Sequence, residues 1–343
     1  MVVSRAPQNT FVWMTTIAVG LLLLKTPAAA EFIAQTLRIN AGIDARSASL
    51  SDLEWLGLSY IALRLIAVLI DSRDSRAGQL PQFTFWELLI FTLFPLTLLA
   101  GPIDRLQRFL PDLRADVAFQ FAGGGRVALG LFKKFVVADT LALIALNSQI
   151  AVDADARGIF GAWLVVYVYA FQIYLDFSGY SDIVIGLGQM LGFTLPENFN
   201  APYLKPNLSR FWQNWHMSLT DWFRGYVFLP MSRYFLRRKF AFPMPPYVIA
   251  QVTTMLLIGA WHGVTVNFFL WAMWHAVGLT LQRWFGSLLR RPILRWRVRA
   301  TTARTMDAFG VLLTFHYVAI GWVFFALPEP GMSIDHLQRM FSL

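Results

Sequence analysis

The 343-residue chain contains no cysteine. Disulfides, thiolate nucleophiles and cysteine-based metal sites are therefore excluded, and the redox compartment is left open. Charge is scarce as well. Charged residues make up 14 % of the chain and hydrophobic residues 57 %. A soluble domain is typically about a quarter charged. With a mean hydropathy of +0.52, this composition belongs to a polytopic membrane protein. Acid is the scarcer sign, at 20 Asp and Glu against 29 Lys and Arg, for a net charge of +9. Such an excess suggests nucleic-acid binding, but the basic residues lie in short loops between apolar stretches. Arg283 to Arg304 carries seven arginines without an acid, and Arg233 to Lys239 carries four basic residues without one. The positive-inside rule accounts for both loops, places them on the cytoplasmic side, and leaves no call for a nucleic-acid partner. There is no H-E-x-x-H and no closely spaced ligand pair, so no metal site is expected.

Apolar stretches fall near residues 11–30, 54–70, 85–100, 127–146, 158–176, 246–260, 264–282 and 308–326. A span takes roughly 20 residues, fewer where a segment is broken or re-entrant, which predicts about seven to nine membrane segments. Helices are the expected element, because lipid offers no partner to an unpaired backbone group. The first stretch has signal-peptide features, with Arg5 before it and Ala28-Ala29-Ala30 after it. Lys25 interrupts it and many spans follow, which favours an uncleaved span.

Residues 31–53 and 71–82 read as polar connections, the second with Asp71, Arg73, Asp74 and Arg76. Phe94-Pro95 and Gly101-Pro102 break the helical pattern. Pro102 through Arg114 reads as an amphipathic segment lying in the interface. Gly123-Gly124-Gly125 lacks the spacing and lysine of a phosphate-binding loop and reads as a hinge or helix start. Lys133-Lys134, a basic pair inside an apolar stretch, is expected to mark a cytoplasmic helix end. Region 196–245, rich in proline and tryptophan, is too polar to span plainly and too apolar for a soluble loop, so short amphipathic or re-entrant helices are expected there.

Three of the five histidines directly follow a tryptophan, a residue that fills only 13 positions. The pairs are Trp215-His216, Trp261-His262 and Trp274-His275. Histidine in apolar sequence is costly to ionise and needs a partner, which makes it a functional candidate. If the two basic loops share one face, the chain between them crosses out and back, and His262 falls at the turn, away from the cytoplasm. Small residues flank it in Gly259-Ala260-Trp261-His262-Gly263, so a substrate or another backbone can approach closely. No G-x-S-x-G motif accompanies it, so the chemistry suited to His262 is direct attack by a bound hydroxyl with the imidazole as base. At helical spacing Trp212, Trp215, His216, Leu219 and Trp222-Phe223 form one face. An interfacial aromatic belt is the simpler reading, and a pocket lip with His216 inward is the functional one. Asn267, Trp271 and His275 are four apart, and packing is favoured over cavity lining. His316 and His336 stand outside any cluster. A further polar group, Tyr174 through Asp182, holds Asp176, Tyr180 and Asp182. The two carboxylates are six residues apart, so one regular helix does not align them, and Gly179 allows a break. Orientation of a histidine or acceptor competes evenly with capping and interhelical hydrogen bonding.

Together these segments resemble the membrane-bound O-acyltransferase (MBOAT) family, in its bacterial branch of alginate O-acetylases and teichoic acid D-alanyltransferases. The resemblance is carried by Phe94-Pro95 with Ala100-Gly101-Pro102-Ile103, by Gly130-Leu131-Phe132-Lys133-Lys134-Phe135-Val136-Val137-Ala138-Asp139, and by Tyr174 through Asp182. It continues with Phe199-Asn200-Ala201-Pro202-Tyr203, Phe211 through Leu219, Gly259 through Gly263, and Gly321-Trp322-Val323-Phe324-Phe325. The order and approximate spacing agree from about residue 55 to 326.

The resemblance implies an all-α, polytopic helical membrane protein forming one transmembrane domain over 1–343, with short re-entrant or interfacial helices around a central cavity. It implies an O-acyltransferase of the bacterial cytoplasmic (inner) membrane that holds no bound cofactor. The donor would be a cytoplasmic thioester, acyl-CoA or an acylated carrier protein, and the acyl group, acetyl in the nearest case, would pass to a hydroxyl of an extracytoplasmic polysaccharide or cell-envelope polymer. The bilayer and a periplasmic or extracellular acyltransferase are the implied partners. His262 maps to the essential histidine and His216 to a second functional position. Asn214 and the indoles of Trp215 and Trp261 are candidates to stabilise an oxyanion or position the thioester, and Asp176, Tyr180 and Asp182 to orient histidine or sugar. Two departures stand out: Arg224-Gly225-Tyr226 replaces the usual Arg-Asp-Tyr, and Pro230-Met231-Ser232-Arg233 replaces Pro-Leu-Gly-Gly. Alginate-type relatives also carry more chain at both ends. A transporter or flippase-like protein is the rival from another class, and a catalytically silent scaffold of the same family is a second.

Overall fold

A computed structural model describes residues 2–3, 9–40, 42, 44, 57–73, 80–116, 119–153, 158–238, 245–288 and 300–341. The described residues are almost wholly helical. In chain order the helices are α1 (Thr10–Leu24), α2 (Pro27–Asn40), α3 (Leu58–Asp71), α4 (Phe85–Thr92), α5 (Leu106–Arg114), α6 (Gly124–Leu131), α7 (Asp139–Ala142) and α8 (Ser148–Asp153). There follow α9 (Gly158–Met190), α10 (Leu208–Trp212), α11 (Met217–Phe223), α12 (Leu229–Arg238), α13 (Pro246–His262), α14 (Val266–Leu288), α15 (Ala300–Ala326) and α16 (Pro330–Phe341). π-helical turns at Phe132–Ala138 and Arg224–Phe228 join α6 to α7 and α11 to α12. A minimal hairpin pairs β1 (Val2–Val3) with β2 (Phe83–Thr84), antiparallel, with Val2 opposite Thr84.

Two helices, Gly158–Met190 and Arg304–Ala326, are long and apolar enough to cross a membrane. A third span is available if α1 and α2, bent by 85° at Lys25-Thr26, count as one. Of the other expected spans, 264–282 is the unbroken helix α14 and 246–260 the 17-residue α13, whereas 85–100 is interrupted at Pro95. Residues 31–40 are helix α2 and not a connection. Lys133 and Lys134 lie in the middle of a helical run from Gly124 to Ala142 and not at its end. The short helices of 196–238 agree with the expectation for that region. Of the two basic loops, residues 233–238 lie in helix α12 and residues 283–288 end α14, while residues 239 and 289–299, with 45–56 and 74–79, lie outside the described residues.

The chain forms two compact units, the first made of Met1–Leu131, Gly179–Glu197 and Ala260–Val264. Its core joins Val68, Phe83, Phe91, Phe94, Leu106, Phe109, Leu110, Val184, Ile185 and Leu195. Leu106, Phe109 and Leu110 lie three and four residues apart on α5, which gives that helix the buried stripe of an amphipathic segment. Asp104, just before α5, accepts from Arg105 N at 2.7 Å and Arg108 Nε at 2.8 Å. Burial pushes the Asp104 carboxyl up, and Arg108 opposes this.

α4 stops where Leu93 and Pro95 end its hydrogen bonding, which leaves carbonyls that need donors in an apolar setting. Arg64, 1 % exposed on α3, supplies them. Its guanidinium donates to the carbonyls of Phe91 at 3.0 Å, Thr92 at 2.9 Å and Thr97 at 2.5 Å, and to the Thr97 hydroxyl. Removing one partner of a buried hydrogen bond costs about 1–3 kcal/mol per stranded group. Arg64→Met is therefore expected to lower stability by about 3 kcal/mol or more, measured as a fall in melting temperature in detergent. An unchanged melting temperature would show that the break in α4 does not depend on Arg64.

In the same unit the glycines of α6 and α9 let two backbones touch. A Cβ on Gly123 would lie 2.0 Å from the Gly186 carbonyl oxygen, and one on Gly130 would lie 2.6 Å from the Gly179 carbonyl oxygen. The two contacts are seven residues apart on each helix and run in opposite directions, which is an antiparallel small-residue seam. Between them Arg126 bridges Asp182 (2.9 Å) and both oxygens of Glu197 (2.7 and 2.5 Å). Gly123 is thus a packing contact, whereas Gly124 and Gly125 meet nothing and open α6.

The second unit comprises Phe132–Ser178, Asn198–Gly259 and Thr265–Leu343. Its core packs Leu146, Ala151, Ala162, Val165, Val166, Ala319, Val323, Leu327 and Met340 from α8, α9, α15, α16 and the loop before α8. Trp274 of α14 stacks on Tyr317 of α15 at 4.4 Å. The pair exchanges two hydrogen bonds, from the Trp274 indole to the Tyr317 carbonyl and from the Tyr317 hydroxyl to the Trp274 carbonyl. Gly278 makes room for that tyrosine, which a Cβ would meet at 2.5 Å.

Candidate active site

The first unit holds His262. It is the last residue of α13, and Gly263 to Thr265 turn the chain into α14, so the ring sits at a helix junction as the topology required. The side chain is half-buried. Its ring lies 4.8 Å from that of Trp261, which meets the edge of Tyr60 at 5.8 Å. Tyr60, on α3, hydrogen-bonds the Gly101 backbone and stands close to Tyr180. Gly101, at φ +102°, faces Tyr180, which a Cβ there would meet at 3.5 Å. The same loop is tied to the elbow between α1 and α2, where Val264 N donates to the Lys25 carbonyl at 3.1 Å. Lys25 lies close enough to act electrostatically on the His262 ring. Lys25 caps the C-terminus of α1 at the elbow, a cation at the end of an apolar helix.

The second unit holds His216, whose surroundings are more fully buried. The residue is 4 % exposed and adopts the left-handed backbone, at φ 42° and ψ 55°, as it opens α11. Two strands of chain fix that turn. Phe199 and Trp215 form an isolated antiparallel bridge, and Asn200 N donates to the Asn214 carbonyl at 3.1 Å. Met217 N donates to the carbonyl of fully buried Asn198, whose side chain accepts from the Ser218 hydroxyl at 2.6 Å. The His216 ring stands edge-on to Phe177 of α9 at 4.6 Å. Trp215 packs among Phe199, Tyr203, Phe211 and Trp322, with ring separations of 5.2, 5.6, 5.5 and 5.0 Å. Trp212, Trp215 and Trp222 are all buried. The interfacial-belt reading of this face is thereby overturned, because the tryptophans are enclosed by protein and not spread at a lipid boundary.

A non-glycine residue in the left-handed region costs about 1–2 kcal/mol. His216→Gly is therefore expected to keep or slightly raise the melting temperature while removing the imidazole, and His216→Ala keeps the strain. Activity lost equally in both variants assigns the effect to the ring and not to the backbone.

The carboxylates of α9 are placed differently from the sequence expectation. The helix runs unbroken through Gly179, so Asp176 and Asp182 stay on different faces. Each meets a cation: Asp176 pairs with Lys134 at 2.5 Å and Asp182 with Arg126 at 2.9 Å. Asn214 donates its amide to the Arg210 carbonyl at 2.7 Å and so closes α10. Asn267, Trp271 and His275 share a buried face of α14, as their spacing predicted. Asn267 donates to the Leu327 carbonyl at 2.5 Å and the Ser333 hydroxyl at 3.1 Å. His275 is enclosed by Trp212 and Trp271, 5.0 and 5.2 Å away, as a packing residue would be. Sequence reasoning missed Tyr60, Arg64 and Asn198. Of these only Arg64, a lone arginine in an apolar stretch, left a signal. Among the described residues there is no cluster of metal-ligating side chains.

These features define a polytopic helical membrane protein with short non-spanning helices and two structured histidine turns. A family model described as MBOAT, membrane-bound O-acyltransferase family, matches residues 10–324, a longer reach than the motifs alone gave. The chain belongs to the membrane-bound O-acyltransferase family and is an acyltransferase by class. It is 30 % identical over 294 residues to a teichoic acid D-alanyltransferase of Streptococcus thermophilus, covering 80 % of this chain and 68 % of that protein. It is 33 % identical over 290 residues to a protein of Azotobacter vinelandii named "Probable alginate O-acetylase AlgI", covering 84 % of this chain and 54 % of that one. A peptidoglycan O-acetyltransferase of Helicobacter pylori is 29 % identical over 273 residues, covering 76 % of this chain and 47 % of that one. The chain thus spans about half the length of the acetylating relatives.

Proposed function

We propose that this protein transfers an acyl group, most simply acetyl, from a cytoplasmic thioester donor to a hydroxyl of an extracytoplasmic polysaccharide or cell-envelope polymer. His262 is the general base. The observation that carries this reading is the half-buried imidazole at the α13–α14 turn, tied to the α1–α2 elbow and lined by Trp261. The acceptor O–H loses its proton to the imidazole as its oxygen bonds to the thioester carbonyl carbon. The carbonyl π electrons move to oxygen, and their return expels the thiolate, which takes the proton from the imidazolium. No covalent enzyme intermediate is needed, which suits a chain without cysteine. His216, held at its own turn in the second unit, is assigned as a second functional residue. Asp176 and Asp182 act through Lys134 and Arg126, as supports of α9. The donor is acyl-CoA or an acylated carrier protein, the setting is the bacterial cytoplasmic membrane crossed several times, and the proposed partner is an extracytoplasmic acyltransferase.

The test is transfer by the purified protein in lipid vesicles, with radiolabelled acetyl-CoA or labelled acyl-carrier protein as donor and an oligosaccharide acceptor. Label recovered as an ester on the acceptor is the expected result. Movement of an unmodified substrate across the vesicle without ester formation would favour a transporter, and neither transfer nor movement would favour a scaffold.

A further inference from the structure

We propose that Lys25 is a catalytic residue of the transfer, its ammonium stabilising the negative charge that develops on the thioester carbonyl oxygen beside His262. The inference rests on the reading of His262 as the base.

Lys25 was the residue that interrupted the first apolar stretch, and the chemistry of His262 did not account for it. The fold does. The chain bends by 85° at Lys25-Thr26. The bend presents the Lys25 carbonyl to Val264 N at 3.1 Å, two residues past His262. That bond ties the elbow to the histidine turn, and the lysine side chain acts electrostatically on the ring. Lys25 is half-buried, as is His262. An imidazole base alone leaves the oxyanion without a charged partner, and a cation on the elbow that is bonded to the histidine turn supplies one. Charge fixed beforehand in a poorly hydrated site stabilises the transition state more than the ground state. Proton and electron bookkeeping is unchanged: His262 takes and returns the proton, and Lys25 stays protonated throughout.

The experiment compares wild type, Lys25→Met, Lys25→Gln, Lys25→Arg and His262→Ala in the full chain in vesicles, with acetyl-CoA and acyl-carrier protein as donors. Melting temperatures are measured alongside. Both neutral variants are expected to fold, because they remove a charge from the end of an apolar helix and leave the backbone bond to Val264 in place. They are expected to lose about 10²–10³-fold in kcat with little change in KM. Lys25→Arg is expected to recover part of that loss. Full kcat in either folded neutral variant, or a raised KM at unchanged kcat, would overturn the proposal. A wild type without transfer, or a His262→Ala variant of full activity, sinks the reading of the base, and this inference with it. An inactive His262→Ala beside a fully active Lys25→Met sinks the inference alone.

Discussion

His262→Ala is expected to reduce kcat for acyl transfer by about 10²–10⁴-fold, the usual contribution of a positioned general base. KM for the donor should change little, since the imidazole acts on the acceptor proton and not on the thioester's carrier. The argument is geometric. His262 ends α13, so its backbone is held by the helix on one side and by the Val264–Lys25 bond on the other. Truncating a half-buried ring at a turn leaves no closed core cavity, so the variant is expected to insert and to melt close to wild type. The loss of rate then reports chemistry and not folding. His262→Gln, which keeps polarity without a usable base, should be as inactive. Transfer at the wild-type rate by a correctly inserted His262→Ala protein would rule out this residue as the base.

Gly130→Leu and Gly186→Leu are expected to cost about 3 kcal/mol or more each, a cost read as loss of monodisperse protein in detergent and a lower melting temperature. A Cβ on Gly130 would meet Gly179 and Ile183 backbone atoms at 2.6 and 2.7 Å, and one on Gly186 would meet the Gly123 carbonyl oxygen at 2.8 Å. Backbone cannot rotate away as a side chain can, so the two helices must part. Parting them also strains the Arg126 bridge to Asp182 and Glu197. Gly124→Ala and Gly125→Ala are the controls, because both positions open onto empty space within α6. They are expected to leave stability unchanged or to raise it by about 0.5–1 kcal/mol. Equal tolerance of all four substitutions would show that the seam does not hold the unit together.

The readings that succeeded rested on local chemistry. Phe94-Pro95 ended a helix because proline removes a donor, and the α5 stripe followed from residues three and four apart. Asn267, Trp271 and His275 shared a buried face for the same reason of period. The readings that failed turned on partners remote in sequence. Gly179 suggested a break, but Gly130 packs against its carbonyl and α9 stays continuous. The tryptophans of 212–222 suggested a lipid boundary, but aromatic rings from segments more than fifty and more than a hundred residues away enclose them. Lys133-Lys134 suggested a helix end, but Asp176 pairs with Lys134 mid-helix.

Composition by itself pointed to a helical membrane protein, the order of the motifs to the acyltransferase family, and the three Trp-His pairs to candidate histidines, since the cost of polar groups in lipid makes each one conspicuous. Only the tertiary structure decided what each polar group does. It gave Arg64 to the open end of α4, set Lys25 beside His262 and held His216 in a strained turn through Asn198. The physical reason is range: helical period and proline act over a few residues, whereas hydrogen bonds and ion pairs in a low-dielectric interior join residues that sequence spacing does not relate.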